Sequence, residues 1–245
     1  MKRKEIIYMI LGMIVLTSLV SFSVIHNAKR PVKNIEVNFT SESPNYFLNN
    51  EIVEEIASKD DKKLLSLSLA EVDIKKVEEK VAQSAYIDSI EVHKDVKGTI
   101  HFNIKCNVPV ARVITPKGEF YLSEKGYRMP LSKLNSALVL LVNGDVKEAE
   151  YEDLSKFISY LNQDDLLKNH IIGIEKVGQR SYNLIVNRGN FYIEFGTLNN
   201  FEKKIKNLKL FYEQYINFVG TEEYEKLSLK FINQVVATKR TVHNE

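Results

Sequence analysis

The chain has 245 residues, of which 44% are hydrophobic and 27% charged, so packed cores are affordable and wholesale disorder is excluded. A formal net charge of +2 is too small to imply nucleic acid as a partner. A single cysteine excludes an intramolecular disulfide.

In chain order, the first feature is apolar. Lys2, Arg3 and Lys4 precede a stretch from Ile6 to Ile25 that carries no charge. About 20 such residues, rising about 1.5 Å each, match a hydrocarbon core of about 30 Å. The stretch exceeds the roughly 7–15-residue core of a cleaved signal peptide, and no A-x-A-like site or lipoprotein cysteine follows it. The sequence therefore predicts a cytoplasmic tail at 1–5 and one transmembrane helix at 6–26 in contact with the lipid bilayer. Lys29, Arg30 and Lys33 balance the basic residues before the stretch, so charge count alone does not orient it. The short, densely basic N-terminus favours a single-pass type II arrangement in the cytoplasmic membrane, with the bulk of the chain extracytoplasmic.

Residues 32–108 read as a small mixed domain. Ile35, Val37 and Phe39 alternate as a strand. A loop follows, and Asn49 or Asn50 can cap a short helix bearing Ile52, Val53 and Ile56. "SKDDKK" is a solvated turn, and about Glu71 to Gln83 forms a second helix through Ile74, Val77 and Val81. A hairpin ends the unit. Ile90 and Val92 alternate before a turn at Gly98, and Ile100, Phe102, Ile104, Cys106 and Val108 alternate after it. The order is β-α-α-β-β, two helices on a three-stranded sheet.

Residues 109–240 read as an antiparallel, β-rich domain with two or more helices on one side, and 241–245 as a polar tail. "ALVLLVNG" is a buried strand. Tyr151, Leu154, Phe157, Ile158 and Leu161 mark an amphipathic helix. Three strands follow, separated by turns at Gly178 and Gly189. A lysine-rich helix comes next, with Phe201, Ile205, Leu208, Tyr212 and Tyr215 on one face and Lys203, Lys204, Lys206 and Lys209 mostly elsewhere. Leu227 to Thr238 reads as one closing strand and as a sheet edge. Lys230, Lys239 and Arg240 guard it with charge, and Asn233-Gln234 interrupts its apolar face.

Catalytic motifs are absent: there is no phosphate-binding glycine loop, no H-E-x-x-H and no G-x-S-x-G. Cys106 is in phase with Ile104 and Val108 and reads as a small buried hydrophobe. His93 and His101 lie near each other across the hairpin, opposite the apolar faces, and lack the further ligands a metal needs. Asp164-Asp165 reads as a solvated turn. The late aromatics, Phe218 among them, are core by periodicity, with a few available to anchor a partner. The sequence thus predicts a binding protein with no catalytic residues, no metal, no cofactor and no small-molecule substrate.

The stretch "YIDSIEVHKDVKGTIHFNIKCNVPVARV" carries a resemblance. Tyr86-Ile87, Val92, Lys94, the alternation from Ile100 to Val108, and Pro109-Val110-Ala111 are similar to the POTRA domain of the bacterial division family FtsQ/DivIB. "YLSEKGYRMPLS", "NFYIEFGTLNNFEKKIKNL" with its Lys203 or Lys204, and "LSLKFINQVVAT" resemble that family's β domain. Tyr86 stands where tryptophan is common, and Cys106-Asn107 replaces a frequent Glu-Arg. The resemblance implies a non-catalytic scaffold at the division septum, linking early and late division proteins. It implies binding of an FtsB/DivIC-like and FtsL-like pair by strand addition at Leu229, Lys230, Phe231, Ile232, Asn233, Gln234, Val235 and Val236, with Tyr215 on the preceding helix. The POTRA domain would contact other divisome proteins. A component of another envelope assembly or secretion machine is the alternative.

Overall fold

The computed structural model describes residues 3–41, 44–58, 63–132, 134–216 and 223–240, with side chains at all of these but 3–6, 24–28 and 215–216. The central residues of the "SKDDKK" turn, Phe218 and the expected tail at 241–245 lie outside the described residues. The chain divides into two compact units, 1–106 and 107–245.

The first unit opens with helix α1, Arg3–Ala28. Among the described residues no helix is long and apolar enough to cross a membrane, which overturns the transmembrane span expected at 6–26. Thr17, Ser18, Ser21 and Ser23 dilute the apolar run. Residues 3–5, expected in a separate tail, continue the helix.

Strand β1 (Asn34–Phe39), helix α2 (Asn50–Ala57), helix α3 (Ile74–Ala82), strand β2 (Ile87–Lys94) and strand β3 (Thr99–Cys106) complete the unit. Asn49 starts α2 by accepting from the Ile52 N–H at 2.8 Å. Asp73 starts α3 by accepting from the Lys76 N–H at 3.3 Å, so α3 begins three residues after the expected Glu71. The sheet order is β1-β3-β2, with β1 parallel and β2 antiparallel to the central β3. Ile100, Phe102 and Ile104 of β3 are fully buried against Val53, Leu64 and Val81. The other face of β3 is polar throughout. Gly98 turns the hairpin at φ +101°, a conformation that favours glycine.

The second unit is a nine-stranded sheet. Its strands are β4 (Pro109–Thr115), β5 (Gly118–Ser123), β6 (Arg128–Met129), β7 (Leu140–Asn143), β8 (Ile171–Gly178), β9 (Ser181–Val186), β10 (Tyr192–Gly196), β11 (Tyr224–Ser228) and β12 (Val236–Lys239). They lie in the order β12-β11-β10-β9-β8-β7-β4-β5-β6. Helices α4 (Tyr151–Asn162) and α5 (Asp165–His170) connect β7 to β8, and α6 (Phe201–Phe211) connects β10 to β11. The expected antiparallel sheet is in fact mixed: β4–β7, β7–β8 and β10–β11 are parallel. For β7–β8 and β10–β11 the reason is topological, since a helix inserted between neighbouring strands returns the chain to the same end of the sheet, whereas β4 reaches its parallel partner β7 by way of β5 and β6.

One register row organises this core. Phe120, Val113, Val142, Ile174, Leu184, Ile193, Leu227 and Ala237 are successive Cα partners on β5, β4, β7, β8, β9, β10, β11 and β12. All but Ala237 are buried, and with Leu154, Phe157, Ile158, Ile205 and Leu208 of the helices they form the core. Each such side chain contributes about 1.5–3 kcal/mol by leaving water.

Candidate functional site

The sequence expected one strand from Leu227 to Thr238. The structure divides it into β11, a turn at 229–235, and β12, an antiparallel hairpin with Leu227 opposite Ala237 and Ser228 opposite Val236. Asn233-Gln234 falls in the turn, so the polar pair that seemed to interrupt a strand marks where the chain reverses.

The sheet ends on β12, which has a neighbour on one side only among the described residues. The Arg240 N–H donates to the Glu223 carbonyl at 2.8 Å. Alternation along an antiparallel ladder then turns the backbone groups of Ala237 and Lys239 to the open side. Those two residues, with Thr238, were not among the expected positions. The continued alternation of "VVATK" is the signal that pointed to them.

Glu194 fixes the turn. Its carbonyl accepts from the Leu229 N–H at 2.9 Å, and its carboxylate pairs with Lys230 at 2.7 Å and Lys226 at 3.7 Å. The Lys230 hydrogen bond is the main reason its carboxyl lies below the ordinary carboxylate range. From the helix side, Asn207 Nδ2 donates to the Ile232 carbonyl at 2.7 Å. Gly196, at φ +74°, lies under Lys230, where an added Cβ would sit 3.2 Å from Lys230 Cγ.

Lys204 departs from the expected solvated lysine face. It is buried on α6, and its Nζ donates to the carbonyls of Phe195 at 2.9 Å and Thr197 at 2.8 Å, 4.8 Å from the Phe195 ring centroid. Burial holds its pKa below the usual lysine value. The ammonium ties the start of α6 to the end of β10, next to Glu194.

Two of the three expected guard charges are ion-paired, Lys230 with Glu194 and Lys239 with Glu223 at 3.2 Å, while Arg240 keeps its charge and donates to the Asn190 carbonyl. Apolar groups are left outward: Phe231 is 59% exposed and Val236 43%, with Ile232 beside them. Of the expected positions, Leu229 is buried, Lys230 to Val235 lie in the turn, and only Val236 belongs to β12. Tyr215 falls in a π-helical turn at Tyr212–Ile216, with its side chain outside the described residues.

The chemistry-bearing residues elsewhere are occupied structurally. Burial pushes the Cys106 thiol up to about 11, leaving it protonated at neutral pH. His93 and His101 stack at 4.8 Å, and His101 faces Glu36 at 3.2 Å and Asp95 at 3.6 Å. Among the described residues no group of three or more His, Cys, Asp or Glu side chains is placed to hold a metal ion. Asp164 caps α5 through Leu166 and Leu167 at 3.1 Å and pairs with Lys209, where a solvated turn was expected. Glu150 is buried with Lys176 and accepts from Tyr182 Oη at 2.8 Å and the Lys147 N–H at 2.9 Å.

An open strand edge beside exposed apolar side chains, carried on a helix-backed sheet and preceded by a β-α-α-β-β unit, is the equipment of a protein-binding module. Residues 31–105 match the POTRA-like domain family, and residues 108–238 match the family described as FtsQ/DivIB, C-terminal related. The chain belongs to the FtsQ/DivIB family, a family of non-enzymatic cell-division scaffolds. Its two domains fit a division scaffold role that works through protein–protein interaction. No curated protein matches the chain.

Proposed function

We propose that this chain is a divisome scaffold that binds an FtsB/DivIC-like and FtsL-like pair at the β11–β12 hairpin, linking early and late division proteins at the septum. The observation that carries this reading is the β12 edge: outward backbone groups at Ala237 and Lys239, with Phe231, Ile232 and Val236 exposed beside them. An added strand needs only backbone donors and acceptors plus apolar footholds, which suits a site without catalytic groups.

The binding positions are Leu229 to Val236 as the turn and first strand residue, extended to Ala237 and Lys239, with Tyr215 on the adjoining helical turn. The test is co-purification of the partner pair with two variants. Ala237→Pro removes an outward donor while sparing the ladder to β11, and Phe231→Asp charges an exposed foothold. Both are expected to lose the pair while keeping the wild-type circular dichroism spectrum. Retention of the pair by the double variant would exclude strand addition. Depletion of the protein is expected to give filamentous cells, and a fluorescent fusion a midcell band.

A further inference from the structure

The second unit has a cleft at one end of its sheet, on the helix side. Lys176 follows Ile174 by two residues on β8, and Tyr182 precedes Leu184 by two on β9, so both continue the core face to the strand ends. There the segment after β7 and the β8–β9 turn border a cleft of about 520 Å³, lined by Asp145, Lys147, Glu150, Lys176 and Arg180. Ligand sites commonly measure about 300–1,000 Å³. Strands β9, β10 and β11 separate this cleft from the β12 edge.

Its floor is a buried ion pair. The Lys176 and Glu150 side chains are only 9% and 6% exposed. Glu150 is well supplied: it accepts from Lys176, from Tyr182 Oη at 2.8 Å and from the Lys147 N–H at 2.9 Å. Lys176 is not. Of its three N–H donors, one goes to Glu150 and one to the Asp145 carbonyl at 2.9 Å. The third has no acceptor among the described residues, and a buried charged donor is seldom left so. Gly144, at φ +120°, admits Lys176 to this position, since an added Cβ would lie 2.8 Å from Lys176 Cβ.

Arg180 stands at the mouth, in the β8–β9 turn. Its φ is +55°, a left-handed conformation that glycine or asparagine adopts more readily. The turn itself therefore does not call for arginine. The guanidinium makes no ion pair among the described residues, whereas Lys147 is paired with Asp145. The lining thus holds three cations against two carboxylates, a surplus of one positive charge.

That surplus selects a singly charged anion. Asp145 and Glu150 in the same wall oppose a phosphate dianion, while a planar carboxylate matches the parallel N–H groups of a guanidinium. A carboxylate alone would fill little of the volume. Asp145 and Gln179 supply an acceptor and an amide for a peptide backbone behind it. We propose that this cleft binds the C-terminal carboxylate of a peptide, held by Arg180 and by the third N–H of Lys176, with Asp145 and Gln179 bonding the last peptide unit. The site does not depend on strand addition at β12.

The experiment is an NMR amide-shift titration of the full chain with N-acetyl-alanyl-alanine at physiological ionic strength. Its C-terminal amide, acetate and inorganic phosphate are the controls. The free acid should shift the amides of Lys147, Ala149 and Gly178 to Arg180, with half-saturation at about 1 mM. Each control should need at least about tenfold more. Arg180→Gly should weaken binding of the acid by about tenfold while keeping or raising the urea midpoint, because glycine relieves the left-handed turn. Arg180→Asn gives the same readout if the glycine variant unfolds. Absence of shifts, equal binding of the amide, of acetate or of phosphate, shifts confined to β11 and β12, or unchanged binding by the folded Arg180 variant would each overturn the proposal.

Discussion

The Glu194 carbonyl accepts the Leu229 N–H at 2.9 Å, and the Glu194 carboxylate pairs with Lys230, the next residue along. One residue on β10 therefore anchors both backbone and side chain of the segment leaving β11. The turn that carries Phe231 and Ile232 starts from a fixed point rather than from a free strand end.

Glu194→Gln should loosen this turn, and its effect should depend on pH. The Glu194 carboxyl is held below its ordinary value by Lys230, so the charged form favours the fold. That stability is fully present above the unfolded value of about 4.3 and is lost as pH falls through the lower folded value. Urea midpoints of wild type and variant, measured from pH 7 down to pH 3, should differ at neutral pH and converge under acid.

Lys204→Met should be more damaging than any other lysine substitution on α6. It removes a buried ammonium from two carbonyls and leaves both without a donor. Hydrogen bonds to charged groups contribute about 1.5–3 kcal/mol, so a loss of about 2–4 kcal/mol is expected. Lys203→Met and Lys206→Met, on the exposed side, should stay within about 0.5 kcal/mol in the same denaturation assay.

The Glu150–Lys176–Tyr182 cluster should behave as a unit. Lys176→Met strands a buried carboxylate and should cost about 3–5 kcal/mol. Pairing it with Glu150→Gln should recover part of that loss, because the stranded charge is gone. A double-mutant cycle by chemical denaturation measures the coupling, and additive effects would show that the three groups act independently.

His170 should give the fold a weakness to mild acid. Burial holds its imidazole below the ordinary histidine value, and its Nε2 lies 2.8 Å from Tyr212 Oη. The native state therefore favours the neutral ring, and the unfolded chain protonates first. Stability is full above about pH 6.5 and falls as pH drops through that value. His170→Gln should flatten the decline between pH 8 and pH 5 in equilibrium unfolding.

Much of this fold was legible from alternation and capping. Ile100, Phe102 and Ile104 marked a buried strand, Asn49-Asn50 marked a helix start to within one residue, and Leu154, Phe157, Ile158 and Leu161 marked the face of α4, because each signal lies within a few residues. Pairing direction was not legible. That β10 and β11 run parallel depends on where α6 delivers the chain, which periodicity does not encode. The burial of Lys204 was hidden for a similar reason, since its partners are carbonyls of β10 and the loop after it, outside its own helix. The split at Asn233-Gln234 was visible as a polar interruption, but alternation continued on both sides and read as one strand. The apolar run at 6–25 shows the opposite error: hydropathy over a whole stretch suggested a span that no described helix provides.

The most direct measurement is amide hydrogen exchange by NMR at Ala237 and Lys239, with and without the partner pair. If the partner adds a strand to β12, both amides exchange quickly in the free protein and slow by about 100-fold in the complex. Unchanged exchange at both amides in a complex shown to have formed would contradict strand addition at this edge.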